Sequence, residues 1–346
     1  MKTRAIILLI LTAHTSLFAQ IANFEAYQKA IHEAELNIVT DNQEKALNIY
    51  YDLLTTSDGN FANDIYNALI LADGLNKRDT LFALFELVKR KNFDTEYLLG
   101  LSEFEHLHSD PRWKAFISTN NEVIYIDTLL RQKVKQLYTR DTLFRVREGS
   151  YKVYGDTIRK LDSLNMVFLF ARIASQGLPG EKEIGAENFR SDQGYDIVIH
   201  HYCQTYSQGS EMRASYGTAP RGQLIIMTDI LIKEAVKGRV KPNKCAQWLE
   251  YQNVGFNAGT FDLCRYSYGG VVSKLLAPPY TADQRLLIDN ARKRLYLEPI
   301  EDYHKKAAYM ARQPESKFAF DIRMNILEWA NEEDFIAGQK YLIPLE

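Results

Sequence analysis

The chain has 346 residues, 46% hydrophobic and 25% charged, with a formal net charge of −2. That apolar share supports a large buried core, and the length suggests two domains. The near-balanced charge lacks the broad basic surplus by which nucleic-acid binders hold phosphate, so no nucleic-acid partner is expected.

Lys2 and Arg4 precede the apolar run Ala5 to Thr12, and the segment closes on Ser16-Leu17-Phe18-Ala19. A charged start, a short apolar core and a small residue at the cut make residues 1–19 a secretory signal peptide. The run is shorter than the roughly 20 residues a membrane-spanning helix needs, so no stable membrane span is expected. The mature protein is expected to be exported, to the periplasm or outside the cell. No cysteine stands near the cut for lipid attachment.

Apolar residues recurring at three and four predict helices over Phe24–Val39, Glu44–Leu54, Phe61–Leu75 and Asp79–Arg90. Asp41-Asn42 and Asp79 are placed to cap the second and fourth of these. Ala46 and Ala83 open comparable stretches about 37 residues apart, close to the roughly 34-residue period of tetratricopeptide hairpins. Ala46 with Tyr50 fits the second-helix pattern, while the first-helix Trp, Leu-Gly and Tyr positions are not matched. Residues 20–120 therefore resemble a degenerate tetratricopeptide (TPR-like) array of about two units. The run Phe104-x-x-Leu107-x-x-Asp110-Pro111-Arg112-Trp113-x-x-Phe116 resembles the segment that closes such arrays. There Asp110 is an N-cap, Pro111 suits the first helical turn, and Trp113 and Phe116 face inward.

Beyond a boundary near 120, residues 121–346 read as an all-α or nearly all-α domain, so the whole chain is expected to be mainly α. Helices are predicted over Asn121–Tyr138, Tyr151–Gln176, Tyr195–Tyr206, Pro220–Lys237, Lys244–Gln252, Ala282–Tyr296 and Glu301–Arg312, with a short one over Asn325–Ala330. Gly177 suits a left-handed C-cap, and Pro179 prevents the helix from resuming. Tyr266 to Gly270 reads as a turn, Arg292-Lys293-Arg294 as a solvated face, and Tyr341 to Pro344 as a packed tail. Asp162-x-x-Asn165, Gly177-Leu178-Pro179, Ile184-Gly185 and the histidine pair that follows resemble an uncharacterised bacterial domain family, over about 100 residues. In that family a Gly-Trp-Pro loop and a Gln-His pair recur; here Leu178 replaces the Trp and Ile199-His200-His201 the Gln-His. The resemblance implies no established activity.

His200 and His201 are the candidate chemistry. Neighbouring helical residues point about 100° apart, so the two cannot share one metal easily. One of them could be a general acid–base residue beside the Gly177–Gly185 loop, supported by Asp162 or Glu187; the plainer reading is a satisfied core histidine. No H-E-x-x-H or C-x-x-C spacing occurs, so neither metal nor cofactor is expected. No G-x-S-x-G hydrolase elbow is present. Gly255-x-x-x-Gly259 lacks the Lys-Ser/Thr of a phosphate loop. Of Cys203, Cys245 and Cys264, the last two form the pair best placed to bridge, and the alternative is three buried thiols. The 21 Tyr, 17 Phe and 3 Trp fill a core or furnish a peptide- or sugar-binding platform. The favoured function is a protein- or peptide-binding scaffold of stacked helices. The alternative is a hydrolase using His200 or His201.

Overall fold

The computed structural model describes residues 23–57, 60–190, 193–205, 221–252, 255–268, 271–313, 315–323, 325–328, 331–340 and 343–344. The expected signal peptide lies outside them. The protein is mainly helical. Helix α1 covers 23–39, and α2 (Gln43–Thr56), α3 (Ala62–Gly74) and α4 (Arg78–Lys89) follow it. Helix α5 is Thr95–Leu99, and a 3-10 turn, Ser102–Leu107, leads to α6 (Pro111–Thr119). The Asp110 side chain accepts the Arg112 amide at the head of α6, with Pro111 in its first turn. Trp113 and Phe116 are then one turn apart and both buried against Phe85, at ring separations of 5.2 and 4.9 Å. Two expected caps act differently. Asn42 makes no side-chain cap bond, and Asp79 sits inside the first turn of α4, where a negative charge still complements the helix dipole.

Helix α7 (Thr128–Thr142) starts later than Asn121, at Asp127, whose carboxylate accepts the Leu130 amide. Helix α8 spans Ser150–Gln176. It ends at Gly177 with φ 87° and ψ 177°, an extended positive-φ conformation rather than the left-handed helical cap expected there. A Cβ on Gly177 would fall within 2.6 Å of the Glu234 and Arg239 side chains, so glycine is required by conformation and by space. Helix α9 is Glu181–Ile184, α10 Gly194–Thr205, α11 Arg221–Ala235 and α12 Pro242–Gln252. Helices α13 (Ala282–Lys293), started by a Thr281–Gln284 capping box, and α14 (Ile300–Arg312) complete this part.

A small four-stranded sheet is the exception in a domain otherwise helical, in keeping with the expectation of a mainly α chain. Strand β1 (Cys264–Tyr268) pairs antiparallel with β2 (Val271–Ala277) and parallel with β3 (Asn325–Glu328). Helix α15 (Glu332–Gln339) follows, and β4 (Ile343–Pro344) pairs with the end of β2. Tyr266 to Tyr268 are thus strand, not turn, and Asn325 to Glu328 are strand, not helix. A short apolar run has too few residues to separate the two periods, and β3 is fixed by a partner far away in sequence.

The core occupies three clusters. The first holds residues 24–116 with Ala186, Phe189, Tyr309, Phe318 and Phe320; the second spans Val134 to Leu297; the third joins Leu263 and Ala277 to α13 and α14. Two later segments therefore complete the N-terminal core across the boundary at 120. One is the irregular stretch 316–323. Asn67 binds Ala319 through both backbone groups, at 2.7 and 3.4 Å, and Asn243 donates to the Asp321 carbonyl at 2.8 Å. The other junction is Glu181, whose carboxylate accepts the Ala62 amide at 2.7 Å and pairs with buried Lys91 at 3.1 Å. Phe61 offers no side-chain acceptor at the head of α3, so Glu181 caps that helix from outside.

A buried ionic cluster ties α1 to the C-terminal helices. Lys306 Nζ lies 2.5 Å from both Glu35 and Glu298, and His32 Nε2 lies 3.1 Å from Glu298. Arg292, expected on a wet face, is fully buried, donates to the Ala258 carbonyl at 2.9 Å and faces Glu298 at 3.5 Å. A charge this deep persists only because partners of opposite sign surround it.

Candidate functional site

Gly194 lets α10 approach α7 closely: a Cβ there would stand 3.3 Å from the Tyr138 Cβ and 3.4 Å from the Val134 carbonyl. Two turns further along α10, the helical rotation separates the histidines. His201 turns to α7, where its Nδ1 lies 2.7 Å from Asp141 Oδ2. His200 lines an open cleft of about 670 Å³ together with Lys135, Glu187, Lys244, Trp248 and Arg323.

The four sequence candidates therefore fall into two places. Asp162 joins the His201 side, but through an intermediary. Arg145 pairs with Asp162 at 2.7 Å and with Asp141 at 2.9 Å, and Asp141 holds His201. The carboxylate bonded to a histidine is Asp141, not Asp162 or Glu187. Burial lifts the Asp162 carboxyl above its ordinary range despite the opposing Arg145 charge. Burial also pulls on Arg145, but Asp141 and Asp162 outweigh it and raise its pKa further. Glu187 lies on the His200 side, half-exposed at the rim, in an ion pair with Lys135 at 3.2 Å.

Behind the cleft wall, Tyr251 of α12 braces two lining groups. The His200 ring meets it edge-on at 4.3 Å, and Arg323 Nη2 donates to its hydroxyl at 3.0 Å. The Arg323 guanidinium also lies over Phe261, 4.6 Å from the ring centre. Trp248 forms part of the wall and is fully buried, and its indole N–H has no acceptor among the described residues. A second compartment of about 480 Å³ shares Lys244 and Arg323 with the first and adds Arg190, Lys241 and the 318–323 segment. Sequence reading missed Asp141, Arg145, Lys244, Trp248 and Arg323. The helical register of α12 was the available signal, because Lys244, Trp248 and Tyr251 recur at four and three.

Among the described residues, no group of three or more His, Cys, Asp or Glu side chains is placed to hold a metal ion. Cys203 and Cys245 are free, buried thiols, so the Cys245–Cys264 bridge that the sequence left open is not formed. Cys245 instead sits in the second core cluster together with Cys203. No helix among the described residues is long and apolar enough to cross a membrane. The chain matches no protein-family model, no curated protein and no solved structure.

Proposed function

We propose that this is an exported binding module that takes a peptide, or an extended segment of another protein, into the two-compartment cleft. The N-terminal helices, read as TPR-like, contribute Asn63 of α3 to the second compartment, and the other lining residues come from beyond residue 120. One observation carries the reading: Tyr251 holds both His200 and Arg323 in place in an open cleft. Groups fixed before binding lose little side-chain freedom when a ligand arrives, and that favours recognition.

A hydrolase using His200 or His201 is the second reading. A general base needs a carboxylate to orient it and a substrate within reach. Here Asp141 orients His201, which is not among the residues lining the open cleft. That division favours binding.

The test is a thermal-shift screen of the full chain against pools of random hexapeptides. At least one pool should raise the melting temperature, and Lys244→Glu should abolish the shift. Silence from every pool defeats the binding reading. Turnover of an ester or amide substrate that disappears in His200→Ala would establish the hydrolase instead. Export is checked separately, by mass analysis of the secreted protein, whose first residue should be Gln20.

A further inference from the structure

The two compartments form one trough joined at Lys244 and Arg323. Its cations are Lys135, Arg190, Lys241, Lys244 and Arg323, and its carboxylates are Glu187, Asp196 and Asp321. This excess of positive charge lies in a chain whose formal net charge is −2. Glu103 offsets Arg190 at 3.5 Å and Glu187 offsets Lys135 at 3.2 Å, so the remaining surplus is one charge, from Lys241, Lys244 and Arg323 against Asp196 and Asp321. Low-dielectric walls concentrate the field of such a surplus and raise the local concentration of anions.

Three further features act in the same sense. Lys241 and Lys244 flank the start of α12, Pro242–Gln252, where the helix dipole presents its positive end. The Arg323 guanidinium is already oriented by Tyr251 and Phe261, and a planar fork of donors matches a carboxylate. The buried indole N–H of Trp248 is a donor without an acceptor among the described residues, which is costly until a ligand supplies one.

We infer that the trough selects acidic peptides, seating a carboxylate between Lys244 and Arg323 with the Trp248 N–H as an additional donor. This rests on the peptide-binding reading and names its ligand class. A nucleic acid is the less suitable polyanion, because its binders carry a broad basic surface and this chain does not. An acidic sugar is less suitable too: Trp248 is wholly buried, so its ring face is not exposed for stacking.

The experiment is calorimetric titration of the full chain with hexaglutamate, a neutral Gly-Ser hexapeptide, a six-residue oligothymidylate and trigalacturonate. Hexaglutamate should bind at least about tenfold more tightly than each of the others, the worth of one charge-assisted hydrogen bond. Lys244→Gln and Arg323→Gln should each weaken it about tenfold, and Trp248→Phe a few-fold. Lys45→Gln, on the distant surface of α2, should change nothing, which separates the trough from general attraction to the protein. Equal binding of hexaglutamate and the Gly-Ser peptide overturns the acidic class while leaving peptide binding intact. Failure of both peptides overturns peptide binding itself. Oligothymidylate or trigalacturonate binding as tightly as hexaglutamate overturns the peptide assignment. If Arg323→Gln proves unstable, Lys244→Gln decides, since the Lys244 side chain is only partly buried at the trough junction.

Discussion

His201 Nδ1 and Asp141 Oδ2 meet 2.7 Å apart inside the α7–α10 contact, one residue away from the ring that lines the cleft. Asp141 is fully buried and shares Arg145 with Asp162. Removing one member leaves the others with buried charge and less compensation. Asp141→Asn should cost about 3 kcal/mol of stability and His201→Ala about 2 kcal/mol. His200→Ala should weaken ligand binding, because its ring lines the cleft edge-on to Tyr251. Urea denaturation beside peptide titration separates the two. Equal loss of binding in His200→Ala and His201→Ala would contradict this division.

The ionic cluster under α1 gives stability a two-sided dependence on pH. Burial draws the His32 imidazole down to about 4, with Glu298 opposing and Lys306 and Arg292 adding to the effect. The folded protein keeps His32 neutral while the unfolded chain protonates below its ordinary value, so this contribution is lost as pH falls from about 6.5 to 4. Asp64 runs the other way. Burial lifts its carboxyl to about 7 against the hydrogen bond from Tyr27, which is 2.5 Å long. The folded state holds that proton after the unfolded chain has released it, so stability rises as pH falls from 7 towards 4. Asp64→Asn should therefore steepen the loss on acidification, and His32→Gln should flatten it, each by roughly 1–3 kcal/mol between pH 7 and 4.5. Urea midpoints across that range decide. Three parallel curves would refute the assignment.

Local signals made the α6 entry legible. Asp110, Pro111, Trp113 and Phe116 all act within one or two turns, so the sequence states cap, entry and buried face together. Helix interiors were legible for the same reason. What escaped depends on partners distant along the chain. Asp141 finds His201 60 residues away and Lys306 finds Glu35 271 residues away, and no periodicity encodes either pairing. Arg292 beside Lys293 and Arg294 reads as a solvated charge run, yet only Arg292 turns inward, because Glu298 and the Ala258 carbonyl await it there. The histidine pair was visible as unusual; which of the two meets a carboxylate depends on how closely Gly194 lets α10 approach α7.

Asp110→Ala should cost about 1 kcal/mol, the usual loss of an N-cap acceptor. Trp113→Ala should cost about 3–5 kcal/mol, since the indole packs on Phe85, Phe104 and Phe116 and truncation leaves a cavity. The contrast tests whether this segment closes the N-terminal core or merely decorates it. Comparable small losses from both variants, measured by chemical denaturation, would show that α6 contributes little to that core.

The thiols make the last prediction. Burial pushes Cys203 up to about 12, although Gln252 Nε2 donates to its sulfur at 3.0 Å and partly opposes the rise. Cys245 is raised by burial and by Cys203 in turn. Since the thiolate is the reactive form, this burial suppresses Cys203 reactivity. Iodoacetamide should leave the Cys203 and Cys245 peptides unmodified in the native protein and label both fully in guanidinium. That native resistance comes from packing between α10 and α12, where both thiols are buried in one core cluster. A mass-mapped Cys245–Cys264 disulfide in the native protein would contradict that packing, because Cys245 would then have to leave the core it shares with Cys203.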